Sequence, residues 1–241
     1  MKIPILTPKL KIKTLYIRNE YESTQSIIPI GCDCHIGTLL NTLYLRKESL
    51  PFDWLNMRPL RALEYVTDNL ENDFEYFMKD LYRNERKHPV SAKYPFVEFM
   101  HEPHIVESED VQNKFKRRIE RFRTKIKTEN CCFLHIINQQ GIVDNESVNY
   151  VISQVERFKK FMKEKDSLHI YLATDELENP NLEFTNKLEQ QLNAQSDVYA
   201  VKYVREIAKF GLWGDEKQYV KLLKDLQLPI KKSGKLKYQV R

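Results

Sequence analysis

From residue 131 to residue 226 the chain alternates short apolar runs with amphipathic stretches of helical spacing, and few folds accept that alternation. Residues 131–137, 168–173 and 198–204 are almost wholly apolar, as strands buried on both faces must be. Residues 145–163, 181–192 and 216–226 carry helical patterns between and after them. The pattern predicts a parallel sheet with helices over both faces. A further strand is expected at 27–30, where an apolar run stops at Gly31, and a helix from about His35, where Ile36, Leu39, Leu40, Leu43 and Tyr44 recur at helical spacing. The expected class is therefore α/β: a mostly parallel, doubly wound sheet with a helical insertion between about residues 56 and 93.

The rest of the chain is read around that sheet. Residues 1–26 form an N-terminal extension with candidate extended pieces at 2–6 and 11–17, separated by Pro8 and able to make an edge hairpin or stay loosely attached. Residues 27–228 are expected as one α/β domain, and 229–241 as a disordered basic tail carrying Lys231, Lys232, Lys235, Lys237 and Arg241. Within the insertion, Pro59 is placed as the first-turn proline of a helix through Leu60, Leu63, Val66 and Leu70. A second short helix is expected at 73–82, a surface loop after it, and a strand at 94–100 ending beside His101. A charged helix at 110–127 carries the stripe Val111, Phe115, Ile119, Phe122 and Ile126.

Composition narrows the function classes. No stretch approaches the ~20 apolar residues that span a bilayer, and the N-terminus lacks the apolar core and cleavage site of a signal peptide. The net charge is +5, and its lysines are dispersed, with no nucleic-acid recognition motif. Six glycines include no phosphate-cradling loop, so no cofactor is expected. The four cysteines comprise an adjacent pair, Cys131 and Cys132, inside an apolar run and a turn pair, Cys32 and Cys34; reduced thiols in a cytoplasmic protein fit this arrangement.

The chemistry is expected at the end of the first strand. Cys34 would start the helix after Gly31, which would allow a sharp turn. Unpaired N–H groups and the helix dipole there favour the thiolate. A cysteine nucleophile needs an imidazole to take its proton, and His101, at a strand end, is the candidate base, with His104 competing and His35 pointing away along its helix. Asp53, between Phe52 and Trp54, is the carboxylate that would orient the imidazole, unless it only caps the following turn. Cys32 could be a resolving thiol. His101-x-x-His104 with Glu102 invites a metal reading, but Pro103 opposes a helix there and no metal is expected. Asp175 and Glu176 follow a strand at the sheet edge and read best as a solvated turn; Asp215 reads as the N-cap of the last helix.

Gly31-x-x-Cys34, the helix with Arg46, and Pro51-Phe52-Asp53-Trp54 together resemble the opening signature of a family described as putative papain-like cysteine peptidases. The stretch ending in Phe99-Met100-His101 resembles that family's strand ending in histidine. The resemblance implies a cysteine–histidine site and a peptidase-like hydrolase acting on a peptide or an acylated small molecule, without nucleic acid. It also brings in Asn138, which would complete the order cysteine, histidine, asparagine, as a rival to Asp53. Papain-like folds usually set the cysteine helix ahead of an antiparallel sheet, so a papain-like α+β fold is the alternative to the α/β reading. A nucleophile on a strand-to-helix turn also suits an acyltransferase or esterase working on a glycan or cell-surface precursor. A non-catalytic α/β binding module is the alternative from another class.

Overall fold

The computed structural model describes residues 2–6 and 12–240. Two strands come first, β1 (Lys2–Leu6) and β2 (Ile12–Ser23), and β3 (Ser26–Pro29) then leads into helix α1 (His35–Thr42). The insertion holds β4 (Asn56–Met57), α2 (Ala62–Glu71), β5 (Leu81–Arg83), β6 (Pro89–Ser91) and β7 (Val97–Glu98). Helices and strands then alternate: α3 (Glu109–Thr128), β8 (Cys131–Asn138), α4 (Asn145–Lys159), β9 (Ser167–Asp175), α5 (Leu182–Asn193) and β10 (Val198–Arg205). A single turn α6 (Ile207–Phe210), helix α7 (Tyr219–Asp225) and strand β11 (Ile230–Val240) follow.

The apolar runs became the sheet they predict. β3, β8, β9 and β10 pair in parallel in the order β10-β9-β8-β3, with Ile28 opposite Phe133, Phe133 opposite Leu168, and Leu168 opposite Val198. Side chains alternate across such strands. Phe133 meets Phe158 of α4 at a ring separation of 5.0 Å, whereas Tyr171, three positions beyond Leu168 and so on the opposite face, receives His35 of α1. Helices therefore stand on both faces. The strand order advances from β3 to β10 without the reversal that marks a doubly wound sheet, so these four strands carry the parallel architecture but not that detail. The papain-like α+β alternative is not what is seen either: the strands beside α1 run parallel.

Side-chain caps fix the starts of α3, α4 and α5. Ser108 accepts from the Val111 N–H at the start of α3, Asp144 and Ser147 form a reciprocal box at α4, and Asn181 caps α5. α4 ends at Lys159, short of the expected 163. Buried Asp166 then accepts from the Lys163 N–H at 2.9 Å and the Cys131 N–H at 2.8 Å, tying the end of that connection to β8.

Several expectations need correction. The insertion is not mainly helical, since α2 is its one α-helix beside the short strands β4, β5 and β6, and the surface loop expected after residue 82 contains β6, which is buried. Residues 73–80 are turns and 81–82 open β5, rather than a helix, with Asp73, Phe74 and Asp80 at φ 54°, 62° and 50°. Phe74 and Phe77 are buried there against Phe52, which an irregular wrap achieves as well as a helix. The strand expected at 94–100 shrinks to β7, paired antiparallel with β4, so His101 follows a two-residue strand and sits in a turn. The tail at 229–241 is not disordered through 240: β11 pairs antiparallel with β2, and β2 with β1. Lys231 lies opposite Glu22 with Nζ 3.3 Å from its carboxylate, and Lys237 reaches Glu20 at 3.5 Å, so charges expected to be solvated act as cross-strand pairs. The register slips between Lys232 and Leu236, where Gly234 takes φ +81°. The Tyr21 N–H, donating to the Leu43 carbonyl at 3.0 Å, anchors this three-stranded wing to the end of α1. Pro8, Lys11 and Arg241 lie outside the described residues.

Candidate active site

β3 delivers the chain to the carboxyl edge of the sheet, and the Ile30 N–H adds one more bond to the Leu134 carbonyl at 2.9 Å. Gly31 serves closeness there rather than an unusual φ. A Cβ on it would lie 2.5 Å from Ile36 Cδ1 and 3.3 Å from Ile136 Cγ2. Cys34 is the N-cap residue of α1, partly exposed and making no side-chain cap bond. Its Sγ stands 3.0 Å from His101 Nε2. The two residues singled out from the sequence are thus brought together across 67 positions.

His101 is held by its neighbours rather than by a long strand. Phe99, buried two residues earlier, accepts from the Glu102 N–H at 3.0 Å and donates its own N–H to the Pro89 carbonyl at 2.9 Å. The imidazole meets Trp54 edge-on, with ring centroids 5.9 Å apart. Trp54 can close on α1 because Gly37 lacks a side chain; a Cβ there would sit 3.2 Å from Trp54 Cη2. The Arg46 guanidinium lies 5.1 Å from the centre of the Trp54 ring.

Asp53 does not touch His101. Its Oδ2 accepts from the Leu50 N–H at 2.9 Å and from Arg46 Nε and Nη2 at 3.1 and 2.6 Å, while Oδ1 is buried without a partner. Burial raises its pKa, and Arg46 works against that rise. Asn138 turns its Oδ1 to the Gln140 N–H at 2.8 Å and caps the turn after β8. Among the described residues nothing bonds His101 Nδ1. Sequence reasoning assigned no role to Trp54 and Arg46, the groups that support this histidine; their presence in the same short motif as Asp53 was the available signal.

Electrostatics at Cys34 run opposite to the sequence expectation. Burial, and then the Asp33 carboxylate, push its thiol up to about 11. The helix N-terminus and the imidazole favour the anion, but the dipole contributes only ~0.3–1 kcal/mol. Cys34 is therefore held toward its thiol form. Asp33 also takes the His35 N–H at 2.8 Å, removing one first-turn donor.

The remaining candidates are structural. His35 is buried with Nδ1 2.7 Å from the Tyr171 hydroxyl, and burial pulls its pKa down to about 4. Cys32 is buried, its thiol raised well above the ordinary value by that burial, and all four cysteines are free. His104 is exposed, and Glu102 is taken up by Lys114 at 2.6 Å. Asp175 binds Arg205 Nε at 2.7 Å, Glu176 accepts from the N–H groups of Ile207 and Ala208 at the start of α6, and Asp215 accepts from the Lys217 N–H.

Two cavities open near the turn and helix that carry Cys34, the first reaching Cys32 and Asp33, and neither is lined by Cys34 or His101 themselves. One of about 500 Å³ lies at the carboxyl ends of β8, β9 and β10, walled by Asp33, Arg58, Glu98, Asn138, Ala173 and Arg205. The other, of about 820 Å³, runs along α1 past Thr38 and Asn41 to Trp213 and Tyr238.

Among the described residues no helix is long and apolar enough to cross a membrane. An uncharacterised protein of Acanthamoeba polyphaga mimivirus is 24% identical over 211 residues, an alignment covering 77% of this chain and 91% of that protein. No solved structure matches the chain. Residues 25–170 match a family described as "Putative papain-like cysteine peptidase", a span that takes in Cys34, Asp53, His101 and Asn138. With more than half of its length inside that match, the chain belongs to this family.

Proposed function

We propose that the protein is a cysteine-dependent hydrolase, peptidase-like in chemistry, in which Cys34 is the nucleophile and His101 its proton acceptor. The contact of 3.0 Å between Sγ and Nε2 carries the reading. As Sγ bonds to the substrate carbonyl carbon, its proton passes to Nε2 and the carbonyl electron pair moves onto oxygen. With the His35 N–H occupied by Asp33, the backbone N–H of Cys34 is the donor assigned to that oxyanion. Collapse breaks the bond to the leaving group, which takes the proton from the imidazolium. Water then attacks the thioester, gives a proton to His101, and frees the acid and the thiol. Asp53 acts as a positioning residue through Arg46 and Trp54. Residues 27–228 form the catalytic domain, and the free thiols fit a cytoplasmic setting.

The parallel sheet favours a second reading, in which a hydroxyl of a glycan or similar acceptor replaces water and the enzyme is an acyltransferase or esterase. The cavity along α1 offers space for such an acceptor. A non-catalytic binding module would leave the Cys34–His101 contact without a role.

Alkylation of Cys34 by iodoacetamide across pH, located by peptide mass spectrometry, tests the pair. Without an imidazole to take the thiol proton, Cys34 in His101→Ala should react about a hundredfold more slowly at neutral pH. Equal rates would sink the reading. An acyl group from p-nitrophenyl acetate should appear on Cys34 and be absent in Cys34→Ala; its transfer to an added sugar rather than to water would favour the second reading.

A further inference from the structure

The cavity at the carboxyl edge of the sheet has more positive charge in its wall than its own acids use. Glu98 accepts from Asn56 Nδ2, Asn84 Nδ2 and His88 Nδ1 at 2.9, 2.8 and 3.0 Å, and Arg86 lies 3.5 Å away. Asp33 is engaged by the His35 N–H and stands 3.5 Å from Arg205 Nη1. Arg205, only 8% exposed, gives Nε to Asp175 at 2.7 Å, and its Nη2 has no acceptor among the described residues. Arg58 is exposed at the rim with no carboxylate partner among the described residues. Its backbone is fixed, the N–H donating to the Phe96 carbonyl at 3.2 Å and the carbonyl accepting from Arg61 at 2.9 Å. The preceding Met57 N–H donates to the Cys32 carbonyl at 2.8 Å, which roots the Arg58 side chain beside the turn that carries Cys34.

We propose that this cavity receives an anionic group of the substrate, a carboxylate or a phosphate, gripped by Arg58 and by the spare donors of Arg205 while the acyl carbon lies at Cys34. Guanidinium forks match both anions, and ligands of open α/β sheets bind outside the carboxyl ends of the strands. The placement of the acyl carbon rests on the nucleophile reading of Cys34; the anion site rests on the cavity. Glu98 is held by Asn56, Asn84, His88 and Arg86, and Asp33 and Asp175 both face Arg205, so Arg58 is the charge left over for the ligand.

The test compares alkylation of Cys34 by anionic iodoacetate and neutral iodoacetamide at low salt, in the parent and in Arg58→Gln. The ratio of the two rates cancels any change in the thiol itself. It should fall about threefold or more in the variant, and salt should lower it in the parent. An unchanged ratio overturns the proposal. Should Cys34 react with neither reagent in the folded protein, the nucleophile reading fails by itself. The anion site is then read from melting: inorganic phosphate or N-acetylglycine should raise Tm of the parent and not of Arg58→Gln, and equal shifts or none would overturn it. Stabilisation by phosphate alone identifies a phosphorylated substrate, and by N-acetylglycine alone a carboxylate.

Discussion

At the level of single residues, Asp33 and Cys34 oppose each other. Asp33 serves the fold by capping the His35 N–H and facing Arg205, and its charge costs Cys34 acidity. A carboxylate next to a thiol disfavours the thiolate, so removing the charge should ease ionisation. Asp33→Asn keeps an amide oxygen for the cap and leaves Arg205 more positive toward the sulfur, and both changes act in the same direction. The alkylation profile of Cys34 should move to lower pH by about half a pH unit or more. A profile that stays put would show that burial alone holds the thiol high. That balance was not legible in the sequence, where a cysteine at a helix start signals a lowered pKa. The glycine was legible, but for another reason: Gly31 makes room for Ile36 and Ile136.

At the level of elements, the segment of Pro51, Phe52, Asp53 and Trp54 works as a bracket for the turn bearing His101. The Asp53 side chain is fully buried and that of Arg46 is 15% exposed, so each depends on the other for its charge. Asp53→Asn leaves Arg46 without its counter-charge, and breaking such a pair typically costs ~3–5 kcal/mol. Urea denaturation should show a loss of that size. A loss below ~1 kcal/mol would mean that Arg46 finds water and that the bracket is not electrostatic. The two motif residues on either side of this aspartate were visible from the sequence, but not the direction of the carboxylate, because spacing does not reveal which cation folds back onto it. The β/α alternation after residue 131 was readable because local periodicity decides it. Residues 73–82 and β11 were not, since aromatic partners from elsewhere settle the first and Glu20 and Glu22, at the other end of the chain, settle the second.

Across the whole molecule, three neutral histidines are built into the sheet and its cover. His35 faces Tyr171, His135 Nδ1 lies 2.5 Å from the Ile30 carbonyl, and His169 Nδ1 lies 2.7 Å from the Leu226 carbonyl. Burial brings each from the ordinary 6.5 down to about 4, with Asp33 partly opposing it at His35. These groups bind protons in the unfolded chain before they do so in the native one. Stability is therefore intact above the unfolded value and falls as pH drops from about 6.5 toward 4. Each histidine should remove about 1–2 kcal/mol by pH 5. Most carboxylates remain ionised between pH 6 and 5 in both states, so the histidines dominate that window; Asp53, with its raised pKa, acts weakly in the other sense. Chemical denaturation at pH 7, 6 and 5 should show a steep decline, and His135→Gln should flatten it by about a third if the three sites contribute equally. A stability that stays level over that range would mean that these imidazoles reach solvent and the sheet is covered less tightly than His35, Tyr171 and Tyr219 indicate.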